Sequence, residues 1–305
     1  MAGAVTFGAV GRLFDVYCTV DWSANATPKV GADSIWVSEL VAGGEPTAIN
    51  VRTRQEAEQH LRDLIARHAG RRVLLGFDFP LGYPVGFAAA AGLVGASPWL
   101  AACEYLANAI TDDEHNRNNR WQVAADLNAR LPELRFWGCP PSCAGEHLTA
   151  RRPLSPAARS VRLTEASLRS HSGRAPFTVW QLLGAGSVGS QVLTGLPVAH
   201  RLRQSERVAV WPFDTGFGPD PGAGRPDSVV IAEVWPSTVE PGSEWPKDRA
   251  QVLALARGFA LLDAAGGLGA AFTPAVTVDD ARVAIDEEGW VLDARPTFQI
   301  RQDAR

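Results

Sequence analysis

Positive charge is not in excess in this 305-residue chain, where 29 Lys and Arg stand against 33 Asp and Glu for a formal net charge of -4. That excludes binding to nucleic acid through a broad basic surface, so action on a polynucleotide would need a local basic patch or a short substrate. Cysteine is scarce. Cys18, Cys103, Cys139 and Cys143 contain no CxxC pair, and the Cys139 to Cys143 spacing alone does not define a zinc site, so reduced thiols are the expectation. No apolar run approaches the length of a membrane span, and the N-terminus lacks a charged start followed by a sustained apolar core. The sequence therefore predicts a cytoplasmic protein without a membrane partner. Methionine occurs once and tyrosine three times, but tryptophan ten times. A buried indole needs a partner for its N–H, so several tryptophans are expected to line a pocket, with core packing as the alternative.

What is present is a chain that is 46% hydrophobic and 20% charged, long enough to bury a full core. Val73 to Phe77 is a short apolar run, the pattern of a strand buried on both faces, and it ends in Asp78 before a Pro80 and Gly82 turn. Phe14 to Ser23 is rich in β-branched and aromatic residues and ends in Asp21-Trp22-Ser23. Asp33 to Val41 and Thr47 to Val51 continue the strand pattern across Gly43-Gly44, giving three consecutive antiparallel strands. Residues 54–68 carry Ala57, Leu61, Leu64 and Ile65 at helical spacing and stop at Gly70. Strand, strand, strand, helix, strand with a right-handed crossover sets Asp21 and Asp78 side by side. Two adjacent carboxylates repel unless a cation lies between them, and hard divalent cations favour such ligands. The alternative is that each caps its own turn.

Further along, residues 86–131 are Ala-rich and helical in pattern, interrupted by a polar patch from Asp112 to Arg120 that reads as a solvated face or loop. Arg151, Arg152, Arg159, Arg162 and Arg169 form the one locally basic stretch that could hold phosphates, and Arg162 and Glu165 can pair on one helix face. Gly184 to Gly189 matches GxGxxG, but it follows too short a strand and lacks a strand-borne acid at the right distance, so a glycine-rich helix start that packs closely, or lets backbone N–H groups approach a ligand, explains it as well. Glu206 to Asp214 is expected to end another strand at Asp214. Ser228 to Val234 is an apolar strand carrying Glu233, and 247–263 is an amphipathic helix with Val252, Leu255, Phe259 and Leu262 on one face. Asp279-Asp280 opens a last helix-like piece toward Glu287-Glu288, a second candidate source of metal ligands, and residues 295–305 are expected to be loose.

The ensemble Val20-Asp21-Trp22-Ser23, Gly76-Phe77-Asp78-Phe79-Pro80-Leu81-Gly82 and Ala232-Glu233-Val234-Trp235-Pro236 resembles a domain-of-unknown-function family of predicted nucleases with the RNase H fold. One branch of it, sometimes labelled as molybdopterin or cobalamin biosynthesis proteins, has segments similar to Phe136-Trp-Gly-Cys-Pro140, Arg162-Leu-Thr-Glu165, Val179 to Gln191, Val210 to Phe213 and Glu287 to Trp290. The resemblance implies a single α/β domain over 1–305, an RNase H-like mixed sheet with a large helical insertion at about 86–206 forming a pocket lid. It implies that Asp21, Asp78 and Glu233 converge as catalytic residues and ligands of Mg²⁺ or Mn²⁺. Arg162 would neutralise developing charge and Glu165 would orient it, while Trp22, Ser23, Trp137, Trp180, Gln181 and Trp235 would contact substrate. Nucleases of this fold draw a further carboxylate from a C-terminal helix, for which Asp263, Asp279 and Asp280 are the counterparts here. The function expected is a metal-dependent phosphodiester or phosphate hydrolase acting on a nucleotide or short single strand. A metal-free biosynthetic enzyme using carboxylate acid/base chemistry, and a nucleotide-binding module without turnover, are the alternatives.

Overall fold

The computed structural model describes residues 11–153, 161–173 and 176–293. The first three strands, β1 (Val16–Asp21), β2 (Ile35–Val41) and β3 (Thr47–Val51), form the expected antiparallel meander. Helix α1 (Arg54–Arg67) follows, its start fixed by the Thr53 hydroxyl accepting from Glu56 N, and it returns the chain to β4 (Val73–Phe77), parallel to β1. A cap of this kind is worth about 1 kcal/mol.

Five helices come next: α2 (Phe87–Ala90), α3 (Pro98–Ala109), α4 (Arg120–Arg130), α5 (Leu163–Ser172) and α6 (Gly189–Arg203). The chain then re-enters the sheet through β5 (Val208–Val210) and β6 (Val229–Val234), crosses its face as α7 (Lys247–Ala264), and closes with α8 (Leu268–Ala271), α9 (Val278–Val283), a π-helical turn (Ala284–Glu288) and β7 (Val291–Leu292). The protein is thus α/β, with a mixed seven-stranded sheet in the order β3-β2-β1-β4-β6-β5 and β7 alongside β6.

All five residues of β4 and all six of β6 are buried, because helices cover both faces of the sheet. Val16, Cys18, Val20, Val73, Leu75 and Phe77 meet α1 and α6 on one face. Tyr17, Leu74, Val230 and Ala232 meet Leu255, Ala256, Phe259 and Leu262 of α7 on the other. The helical segment therefore does more than cover a pocket, since Val192, Leu193 and Leu196 of α6 belong to the main core. Among the described residues, no helix is long and apolar enough to cross a membrane. Cys18, Cys103 and Cys139 are buried, and all four thiols are free.

Candidate active site at the ends of β1 and β4

The parallel pairing of Val20 with Phe77 brings the two strand ends level. Asp78 N donates to Val20 O at 3.1 Å, and Trp22 N donates to Asp78 Oδ1 at 2.8 Å, so Asp78 is fixed by the backbone on either side of Asp21. Strand alternation decides where the side chains go. Thr19 reaches Val252 O on α7 at 2.8 Å, and Asp21, two residues on, shares that face. Gly76 also faces that side, against Val234 and Thr19, and Asp78 follows it by two. The Asp21 and Asp78 carboxyls are close enough to hydrogen-bond when one of them carries a proton and to repel when both are ionised. Helix α7 aims its first turn at them and contributes Asp248, which accepts from Asp33 N at 2.6 Å.

Asp21 and Asp248 open onto a cleft of about 540 Å³ whose walls also include Ser23, Asp33, Arg120 and Gln191, and Asp78 lies behind that wall against Asp21. Burial raises the Asp21 pKa well above the ordinary carboxylate value, and the charges of Asp78 and Asp248 raise it further. Burial likewise pushes Asp78 up to about 7, although the Trp22 N–H it accepts pulls the other way. Among the described residues no Lys, Arg or His pairs with Asp21, Asp78 or Asp248. Oxygen donors grouped without a counter-charge suit a hard divalent cation such as Mg²⁺ or Mn²⁺. Asp21, Asp78 and Asp248 are the acids near enough to one another to contribute to such a site, but among the described residues no three His, Cys, Asp or Glu side chains are grouped closely enough to hold a metal ion.

Glu233 does not join them. It lies one residue before Val234, the side chain that faces Gly76, and so points to the opposite face of the sheet. There it is 2% exposed and accepts from Arg162 Nη1 at 2.7 Å, from Arg162 Nη2, and from Leu81 N at 3.0 Å. Arg162 also donates from Nε to Glu165 at 2.8 Å, and the Glu165 carboxylate accepts from Arg162 N at the start of α5. The expected ligand, its charge neutraliser and its orienting acid thus form a buried Glu–Arg–Glu triad in which the guanidinium satisfies both acids. Burial disfavours the Arg162 charge, but Glu165 and Glu233 more than offset this and hold its pKa above the ordinary arginine value. Burial holds Glu165 above its ordinary value even beside Arg162.

The other expected acids also serve the fold. Glu287 accepts from Gly86 N and Ala88 N, and Glu288 from Val85 N and Leu163 N, which satisfies the first amides of α2 and α5. Gly82, in the turn after Asp78, permits this approach, because a Cβ there would lie 2.4 Å from Glu287 O. Asp263 accepts from Leu13 N, Phe14 N and the Tyr17 hydroxyl at the far end of α7, Asp280 binds the Thr277 hydroxyl, and Asp214 pairs with Arg203.

Of the residues expected to touch substrate, Trp22 and Ser23 border the cleft, although the Trp22 ring itself is buried, with Nε1 donating to Thr194 at 3.2 Å. Trp180 is a buried residue packed edge-on to Phe87 and Phe136 and tilted against Tyr83. Trp137 is half-buried and bridges to Thr149 and Gln181, whose side-chain amide braces the glycine loop through Leu183 O and Ala185 O. Trp235 is half-buried outside the cleft walls. The GxGxxG loop starts α6, and its last glycine is needed for packing, since a Cβ on Gly189 would lie 2.3 Å from Val179 O. Arg159 and residues 295–305 lie outside the described residues.

Sequence reasoning missed two residues, Asp248 and Arg120. Asp248 is the first acid of the helix expected over 247–263, and its place in the first turn, opposite the strand ends, was the available signal. Arg120 begins α4 after the polar patch and turns inward. Comparison with protein-family models, curated proteins and solved structures gave no match.

Proposed function

We propose that the protein is a divalent-cation-dependent hydrolase of phosphate esters, with Asp21, Asp78 and Asp248 as its carboxylates. The observation that carries this reading is the pair Asp21 and Asp78, set side by side at two adjacent strand ends with Asp21 in the cleft wall, Asp78 held by Val20 O and Trp22 N, and neither paired with a cationic side chain among the described residues. The strand order, with two parallel strand ends bearing the acids and a crossing helix bearing the third, supports it as well. Bound Mg²⁺ or Mn²⁺ would supply charge neutralisation at a phosphoryl oxygen and acidify water. The chain's own part is to keep the acids in register through Val20 O and Trp22 N, and to accept the proton that attacking water gives up. Phosphorus gains the water oxygen, and the bond to the leaving alcohol oxygen breaks with a proton delivered to it. The cleft volume suits a nucleotide-sized substrate, and the acidic net charge argues against a long polynucleotide.

The test is calorimetry with Mg²⁺ and Mn²⁺ on the wild type and on the Asp21→Asn, Asp78→Asn double variant, joined to a phosphate-ester screen with and without EDTA. Binding that disappears in the variant, and turnover that EDTA abolishes, are expected. A second reading has its own support, because a carboxyl pushed to about 7 is poised as a metal-free general acid or base. EDTA-resistant turnover that Asp78→Asn removes would establish that reading instead.

A further inference from the structure

One guanidinium in the cleft wall has no counter-ion. Arg120 is 7% exposed, donates from Nε to Ser190 Oγ at 3.1 Å and from Nη1 to Asn118 Oδ1 at 2.8 Å, and lies over the Trp121 ring at 4.2 Å. Both main acceptors are neutral. The nearest carboxylate with influence on it, Asp112, is engaged by Arg54, which takes Oδ1 at 2.7 Å and Oδ2 as well. Nη2 of Arg120 has no hydrogen-bond partner among the described residues and is not fully sealed from solvent. Burial and the Arg54 charge together lower the Arg120 pKa to about 10, which leaves it cationic at neutral pH.

A desolvated cation without an acid partner is expensive to keep in a fold and is conventionally resolved by an anion. Arg120 lines the cleft that holds Asp21 and Asp248, and Ser187 and Ser190, beside the start of α6, line it too. The larger cleft between α1 and α6, about 680 Å³, differs in this respect, because its cations are matched by acids: Arg201 and Arg62 by Glu58, and Arg54 by Asp112.

We infer that Arg120 is the anion anchor of the acid-lined cleft, receiving the phosphate oxygens of a phosphorylated small-molecule substrate through Nη2, with Ser187 as a neighbouring donor. This rests on the hydrolase reading for its substrate class, and it narrows that class to compounds whose phosphate can reach a guanidinium and the acids together. The guanidinium geometry favours phosphate over a neutral oxygen ligand.

The experiment titrates inorganic phosphate and adenosine monophosphate into the full chain in the Asp21→Asn background, which prevents turnover, and measures Mg²⁺ binding separately on the wild-type background. Arg120→Met should weaken phosphate binding by at least about tenfold and Arg120→Lys by less, with Mg²⁺ binding unchanged. Arg120 also braces Ser190, so Ser187→Asp serves as a variant that leaves the packed residues alone. A carboxylate there should weaken phosphate binding to a similar degree. Phosphate and nucleotide binding that is absent, or insensitive to all three substitutions, overturns the assignment whatever Mg²⁺ does. Arg120-dependent phosphate binding in a protein that binds no Mg²⁺ sustains the anchor and removes the metal-dependent reading alone.

Discussion

Two carboxylate clusters stand at the same end of the same sheet and have opposite electrostatic fates. Glu233 ends its strand facing Arg162, which bonds both of its oxygens and also holds Glu165, and the group is sealed from solvent. Asp21 and Asp78 end their strands beside each other and near Asp248, with a cleft in front of Asp21 and Asp248 and no cationic side chain paired with any of the three among the described residues. A single step in strand alternation separates the two outcomes. An acid at a strand end is therefore not by itself a reactive group, because a buried counter-charge can consume it in structure.

The largest expected effect breaks the neutralised cluster. Arg162→Ala leaves two buried acids facing each other, and urea denaturation should show a loss of roughly 3–5 kcal/mol or failure to fold. Asp78→Asn should do the reverse. On the proposed hydrolase reading it should lower turnover by at least about a hundredfold while keeping or raising the melting temperature, because it relieves repulsion. A variant that both unfolds and loses activity would make Asp78 a structural residue.

The pH dependence of stability sharpens the contrast. Asp21 and Asp78 have folded-state pKa values raised above those of the unfolded chain, so between about pH 4 and about 7 the native state holds more protons than the unfolded state. The stability these protons provide is complete below the unfolded pKa and is lost as pH rises through the folded one. Melting temperature should therefore fall from pH 5 to pH 8 in metal-free buffer, less steeply in Asp78→Asn, and Mg²⁺ should reverse the fall in the wild type. Metal affinity should itself grow over the same interval, since a proton must leave the pair. The smallest effect belongs to Trp235→Phe, expected to leave KM within about twofold, as the ring stands outside the cleft.

The meander, the crossover and the Asp21 and Asp78 adjacency were legible because apolar periodicity and strand order encode them directly. The side-chain direction of Glu233 was not, because a fully buried strand has no polar alternation to set its phase: Val229 to Val234 is apolar on both faces except for that residue. Its partner lies 71 residues earlier, beyond any local pattern. Asp248 was hidden for a different reason. A first-turn acid is ordinary helix chemistry, favourable to the helix dipole, and only the packing of α7 across β1 turns it toward the strands. The tryptophans divide between the two expected roles, because a large ring fills a core as readily as a pocket: Trp22 and Trp121 border the acid-lined cleft, while Trp180 packs among Tyr83, Phe87 and Phe136.

The sheet order has a consequence for how the molecule is made. Strand β4 lies between β1 and β6, and its pairing to Val229–Glu233 joins segments more than 150 residues apart in sequence. During synthesis the first half of the chain can complete the meander, α1 and β4, and then presents β4 as an apolar edge with unpaired backbone groups until residue 229 has emerged. Such an edge is a template for pairing with another chain. The nascent protein is therefore most vulnerable to misassembly while the helices α2 to α6 are being translated.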